Sequence, residues 1–449
     1  MTENKVFKKV KKSLQETGVK FVRVLWCDNA NIIRAKAIHS QMLLHYWEDG
    51  VGISPGLQAL PVMYDSVMAG SGLTPVGNVQ LVPDWQTLTP LPYSPGHARV
   101  FSNMIHKGQP WALCPRGFLL RMIEEAKKEG LEIKAAFENE FYLLQKNGEE
   151  IIGADATVFA ATASMDANLE VINDIADALI LQEIPVEQYY PESGPGQQEI
   201  SMRYTEALAA ADWQVVFRET VKAIADRHYL TASFLPKIFA ESAGNGCHIH
   251  LSLWRDGKNI TPNSQGICGL SPLARSFVAG ILHHLPALMA ITTPSPNSYR
   301  RIRPHFWSGA FRCWGLDNKE APVRVISSPR GDGSTNFELK TVDATANPYL
   351  ALGAVIAAGL DGIRNNLEPM QPVSQDPGYL PLDERINNGI SSLPENLGQA
   401  IAHLQQDDIL LTALTPQLSQ AFLAVRQAEW EAMKDWELEA EVKLLLARY

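Results

Sequence analysis

Between residues 131 and 254 the chain alternates strand-like and helical segments, and the strand-like segments interleave apolar residues with polar or charged ones. Strands of a parallel core, buried on both faces, would run apolar throughout. The expected architecture is therefore α+β, one curved antiparallel sheet with flanking helices. Strands are expected at 133–144, 184–189, 197–203, 232–239 and 246–254, and helices at 166–181 and 206–228. Further on, the pattern is helical at 271–291 and 346–364, irregular and arginine-rich at 297–335, and helical again from about 395.

Ahead of this region the grain differs. Residues 3–16 read as a helix, and 21–26 (FVRVLW) and 32–38 as a hairpin turning at Asp28-Asn29. From 50 to 97 Gly and Pro are dense around short apolar pieces such as 79–82, the mark of a small sheet domain with long loops. Pro110 and Pro115 precede a helical pattern at 116–129 with Gly130 as its C-cap, which places two domains at 1–108 and 109–449.

Composition bears on partners and compartment. With 39 basic against 49 acidic side chains the net charge is −10, which opposes non-specific attachment to nucleic acid or anionic lipid. The five cysteines form no CxxC pair and suit a reducing compartment. The basic N-terminus lacks the apolar stretch of a secretory signal, and the longest apolar run, 349–360, falls short of the roughly 20 residues that cross a bilayer. A cytoplasmic location without membrane attachment is expected.

The chemistry concentrates in four segments. In AAFENEFYLL, Glu138 and Glu140 stand two apart on an apolar, aromatic strand, so their carboxylates share a face. His248 and His250 repeat that spacing in GNGCHIHLSLW. Glu192 and Glu199 flank a Gly-Pro-Gly turn in EQYYPESGPGQQEISMRY, where Gly194 and Gly196 permit close backbone approach. Glu338 in TNFELKTVD faces away from Phe337 and Leu339. Each segment alone also suits a half-exposed strand or an acidic loop. Together, Glu138, Glu140, Glu192, Glu199, His248 and Glu338 could fill two neighbouring oxygen-rich metal positions that clamp phosphoryl oxygens.

A cationic run follows, with Arg300, Arg301, Arg303, Arg312, Lys319, Arg324, Arg330 and Lys340 interrupted by RPHFWSGAFRCWG, either a solvated face or a loop binding carboxylate and phosphate. The segment 241–246, ESAGNG, is a plain loop or a wrap around a small ligand. There is no GxxxxGK[ST] loop, no GxGxxG and no serine elbow, and neither Cys114 nor Cys247 has catalytic context.

The motifs WCDNANIIRAKAI, PRG, ENEFYLL, ESGPGQQEI, GNGCHIHLSL, NSYRRIRP and FELKTVDATANPYLALGAVIAAGLDGI, in that order, resemble the glutamine synthetase superfamily in its bacterial class I style. The resemblance runs from about residue 20 to the C-terminus. It implies a small β-grasp domain, a large catalytic domain, and a homododecamer of two stacked hexamers with active sites shared between neighbouring subunits. It also implies ATP-dependent activation of the glutamate γ-carboxylate to γ-glutamyl phosphate, attack by an amine, and Mg²⁺ or Mn²⁺. Matched residue by residue, Glu140, Glu192 and Glu199 fall on the first metal position, and Glu138, His248 and Glu338 on the second. Asn245 and Gly246 match residues holding glutamate, Arg301 the arginine on its α-carboxylate, Arg324 an arginine facing the phosphates, and His250 the nucleotide side.

The departures concern the acceptor. Ser54 in GVGISPG stands where ammonia-using synthetases carry an aspartate that binds ammonium, with Asp49 five residues earlier as another acid that a loop could return. Trp307 replaces the flap glutamate, and Lys319 and Lys340 replace two phosphate-side arginines. Losing two carboxylates and gaining an indole suits a larger amine than ammonium. The resemblance thus implies a γ-glutamyl-amine ligase acting on glutamate and a small amine, with ammonia-dependent glutamine synthesis and a non-catalytic glutamate- or ATP-binding paralogue as the alternatives.

Overall fold

The computed structural model describes residues 5–148, 150–328 and 334–449, so Arg330 of the cationic run lies outside the described residues. The hairpin of Phe21–Cys27 and Ile33–His39 pairs Phe21 with His39. It turns at Asp28, whose buried carboxylate accepts the N–H groups of Ala30 and Ile32 and the Arg34 guanidinium. Phe21–Cys27 also pairs in parallel with His97–His106, which joins Val79–Pro83 and then Val51–Ile53 in a seven-stranded mixed sheet. Val22, Val24, Val79, Leu81 and Val100 turn to one buried layer, as period-2 alternation requires. The helix Lys5–Glu16 lays Phe7 and Leu14, one heptad apart, on that layer. Burial of each contributes about 1.5–3 kcal/mol.

The PRG motif joins this small domain to the large one. Pro115 opens the helix Pro115–Lys128, capped by the Cys114 sulfur accepting from Gly117 N–H. The buried Arg116 guanidinium then ties Asp84 and Asn103 of the small domain to Asp212 of the helix Ala207–Arg227.

The large sheet runs Val186–Pro191, Gln197–Met202, Glu132–Asn147, Cys247–Arg255, Asn336–Leu339, Val323–Ile326, Trp314–Leu316. Behind it the helices Pro272–Thr292 and Pro348–Arg364 touch backbone to backbone. A side-chain carbon at Gly280 would stand 2.1 Å from the Ala358 carbonyl, and one at Gly362 2.0 Å from the Ser276 carbonyl. This α+β arrangement is the one expected.

Four details differ from expectation. The 232–239 strand shrinks to Thr231–Ser233, because side chains take its backbone hydrogen bonds: the Asn245 amide donates to the carbonyls of Ser233 and Leu235, and Asn297 bonds both N–H and C=O of Lys237. The irregular 297–335 stretch supplies two strands of the large sheet, and these two, Trp314–Leu316 and Val323–Ile326, pair in parallel rather than antiparallel. The helices expected at 166–181 and beyond 395 are broken, the first at Asn168 and the last into Leu397–Leu404, Asp408–Leu414, Pro416–Met433 and Leu438–Leu445. Finally, among the described residues Pro272–Thr292 is a single helix long and apolar enough to cross a bilayer, longer than the 349–360 run, and most of it is buried inside the fold.

Candidate active site

Strand register builds the site. Glu199 lies directly opposite Glu140, His248 opposite Glu138, Glu338 opposite His250, and Arg324 opposite Glu338, so charged side chains from five adjacent strands lie in neighbouring rows across the sheet. Glu192 follows the Val186–Pro191 strand and is folded back by the turn at 193–196. The two glycines there are needed as expected: a Cβ on Gly194 would strike the Tyr142 hydroxyl at 1.9 Å, and Gly196 adopts φ +73°.

The carboxylates fall into two groups whose ligand atoms lie within 4.8 Å of one another: Glu140, Glu192 and Glu199, and Glu138, His250 and Glu338. His248 stands between the groups. Its Nδ1 is 3.0 Å from Glu138 and 3.1 Å from Glu338, and its Nε2 is 3.8 Å from Glu140. His250 Nε2 is 3.2 Å from the same Glu138 oxygen and its Nδ1 meets Asn336. Both imidazoles therefore compete for the place that the resemblance gives to His248.

The two groups differ in charge state. Burial raises the pKa of Glu199 to about 11, and repulsion from Glu138 and Glu140 adds to it; burial and then Glu140 raise Glu192 to about 7. For Glu138 burial also pushes upward, but hydrogen bonds from His248 and His250 outweigh it and hold the carboxyl well below its usual range. Glu338 is held low, against its burial, by the Lys340 ammonium and His248. Glu192 and Glu199, both driven toward protonation beside the Glu140 carboxylate, mark a site short of positive charge. Their all-oxygen donor set, beside a mixed imidazole and carboxylate set, fits hard divalent cations.

Glu138 lines two cavities. One, about 330 Å³, is bounded by Glu140, Glu192, Glu199, His248, Arg301 and Trp307, with Lys319, Arg324 and Lys340 at its cationic side. The other, about 370 Å³, holds His250, Lys134, Ser252, Trp254 and Tyr204. The Lys134 ammonium sits 4.0 Å from the Trp254 ring centroid.

The predicted residues do not all reach the cleft. The Arg301 guanidinium is buried, donates to the carbonyls of Lys340 and Val342, and keeps a buried, unpartnered Nε. Arg324 and Lys340 both pair with Glu338. Gly246 contributes its N–H, which donates to Glu140 at 2.8 Å. Asn245 is fully buried, its amide joins Gln197, Leu235 and Ser233, and the neighbouring Ala243 and Gly244 line the cleft. Ser54 sits in the small domain, donates to the Pro75 carbonyl, and is not among the residues lining the cleft of its own chain. The cationic run also divides, since Arg300 turns away to Glu441.

Sequence reasoning singled out Trp307 but missed the aromatic wall to which it belongs. Phe159, Tyr190, Phe306 and Trp307 line the cleft, and Trp307 is 54% exposed. The Lys319 ammonium stands 4.9 Å from the Trp307 ring centroid, and the Trp307 backbone N–H donates to the Glu320 carboxylate at 2.8 Å. His305, also in the lining, pairs with Asp376 at 2.7 Å. The signal was the HFW triplet in a Pro- and Gly-rich loop, where exposed aromatics have no core to fill.

Comparison with known proteins agrees with this geometry. Residues 6–111 match the family model of the glutamine synthetase N-terminal domain, and residues 112–444 that of the glutamine synthetase catalytic domain. Type-1 glutamine synthetase 1 of Dictyostelium discoideum is 36% identical over 99% of this chain and 93% of its own length. Gamma-glutamylpolyamine synthetase GlnA3 of Streptomyces coelicolor is 38% identical over 92% of this chain and 90% of its own. A solved GmaS/ADP complex superposes with TM-score 0.85 at 29% identity, covering 97% of this chain and 98% of that one.

Proposed function

The chain belongs to the glutamine synthetase family of ATP-dependent ligases that join glutamate to ammonia or an amine, and from that premise we propose that its own acceptor is an organic amine rather than ammonium. The observation carrying this reading is the exposed Trp307 ring in the cleft wall, already holding a lysine ammonium on its face. An indole that binds a cation in this way offers a surface for an alkylammonium, worth about 0.5–2 kcal/mol, and gives a small, strongly hydrated ammonium ion no carboxylate at that position. Ser54 in place of an acid supports the same reading, as does the likeness to a gamma-glutamylpolyamine synthetase.

In this mechanism Arg301 positions the glutamate α-carboxylate through its fork, and Gly246 with the 243–246 loop shapes the amino-acid pocket around it. Glu140, Glu192 and Glu199 would hold one divalent ion and Glu138, His248 and Glu338 a second, magnesium or manganese, which would polarise phosphoryl oxygens. Arg324, Lys340 and Lys319 neutralise charge on the transferred phosphoryl group. His250 borders the nucleotide in the neighbouring cavity. The aromatic wall excludes water from the acyl phosphate.

The reading extends to assembly and place. A small domain that does not line its own cleft suits a homododecamer of two stacked hexamers, in which Ser54 approaches the cleft of a neighbour, and five free cysteines suit the cytoplasm. Ammonia-dependent glutamine synthesis is the second reading, favoured by the identity to glutamine synthetases of Dictyostelium and Pyrococcus. Glutamate-dependent ADP release measured with ammonium, monoamines, ethanolamine, diamines and polyamines decides: the proposal requires an organic amine to exceed ammonium in kcat/KM.

A further inference from the structure

An alkylamine is protonated at neutral pH and cannot attack a carbonyl until it loses a proton, so an amine ligase needs a base at the acceptor side of its cleft. The carboxylates that line this cleft lie in the two ion-binding groups. The two acids that the resemblance would put at the acceptor end are replaced by Ser54 and Trp307.

His305 is built for the missing task. It lines the cleft two residues before Trp307, and its Nδ1 is 2.7 Å from the Asp376 carboxylate. A carboxylate can only accept, so Nδ1 carries the proton and Nε2 presents its lone pair. Nε2 makes no hydrogen bond among the described residues. The other Asp376 oxygen accepts the Gly378 N–H at 2.7 Å, which fixes the carboxylate that fixes the ring. The Tyr379 ring covers the imidazole at 4.4 Å between centroids. Gly378 must lack a side chain, because a Cβ there would lie 2.6 Å from His305 Cε1. His305 also holds φ +67°, a left-handed backbone state that few residues other than glycine adopt.

We propose that His305, oriented by Asp376, is the general base that takes the proton from the acceptor ammonium. The inference rests on the amine-ligase reading. The ammonium gives one proton to His305 Nε2; its freed lone pair then forms the C–N bond to the γ-carbonyl carbon while the C–O bond to phosphate breaks. The nitrogen loses its second proton to the departing phosphate, and His305 returns the first to solvent. Asp376 is a positioning residue, holding the tautomer and stabilising the imidazolium.

The test compares an alkylamine with hydroxylamine, which is largely unprotonated at neutral pH and does not need the base. In the full-length protein with glutamate, ATP and Mg²⁺, His305→Gln should lower kcat/KM for the alkylamine about 100-fold or more and for hydroxylamine less than about threefold. Asp376→Asn should show the same split more weakly, with the KM for glutamate and ATP unchanged, which a purely structural anchor would not produce. Equal losses with both acceptors, or no loss with either, overturn the proposal. If the wild-type protein releases phosphate with neither acceptor, the ligase reading itself has failed and His305 falls with it.

Discussion

The ammonium of Lys319 rests over the indole of Trp307, 4.9 Å from its centroid, in a cleft that four glutamates also line. Trp307→Ala should therefore lower kcat/KM for the preferred amine about tenfold and leave the KM values for glutamate and ATP within about twofold, the size expected of one cation–π contact. Steady-state kinetics with each substrate varied in turn checks this. An equal rise in the glutamate KM would make Trp307 a packing residue of the cleft wall.

Recreating the acids should move the preference. Ser54→Asp combined with Trp307→Glu is expected to raise the ratio of ammonium to amine kcat/KM, since it restores anionic recognition and removes the aromatic face. An unchanged ratio in the double variant would detach both positions from acceptor choice.

The clustered acids predict a metal response that does not depend on turnover. Because Glu199 is driven to a pKa of about 11 by burial and its carboxylate neighbours, it is protonated in the metal-free protein, and Glu199→Gln should leave the metal-free Tm nearly unchanged. Mg²⁺ or Mn²⁺ should raise the wild-type Tm, by linkage about 2.7 kcal/mol at a hundredfold excess over Kd, and the variant should lose most of that gain. Scanning calorimetry with and without chelator measures both. A variant with the full metal-induced shift would remove Glu199 from the ion site.

Arg301→Lys keeps the charge and loses the planar fork. It should raise the glutamate KM by roughly 10- to 100-fold, the worth of one charge-assisted hydrogen bond, with the ATP KM little changed. Unchanged kinetics for glutamate would take Arg301 out of the pocket.

How much of this was legible beforehand depended on distance along the chain. Glu138 with Glu140, and His248 with His250, share a strand, and period 2 alone puts each pair on one face. That Glu199 meets Glu140, or that Glu338 meets His250, is a matter of register between strands, which no local pattern encodes. The His305–Asp376 pair spans 71 residues and was invisible for the same reason. The resemblance gives Asn245 to the glutamate pocket, but only the fold shows that its amide also replaces the hydrogen bonds of a strand that ends early. Val323–Ile326 was hidden by the surrounding Gly, Pro and Arg, although VRVI alternates correctly.

Outside the cleft, His284 links the helix Pro272–Thr292 to Asp361 at 3.1 Å and Asp407 at 2.6 Å, with the His283 ring edge-on beside it. Burial lowers its pKa, but the hydrogen bonds and charges of Asp407 and Asp361 outweigh burial and raise it. A raised folded-state pKa gives stability that is fully present below the unfolded value, about 6.5, and is lost as pH rises through the folded value. The wild-type Tm should thus fall between pH 6 and 9 more steeply than that of His284→Gln. Parallel slopes would exclude His284 as the source.

The central claim is the nature of the acceptor, and a competition tests it most directly. Glutamate and ATP are supplied with equimolar ammonium and a panel of organic amines in one reaction, and the products are counted by mass spectrometry. A γ-glutamyl derivative of an organic amine as the dominant product is the predicted result; glutamine as the dominant product would contradict it.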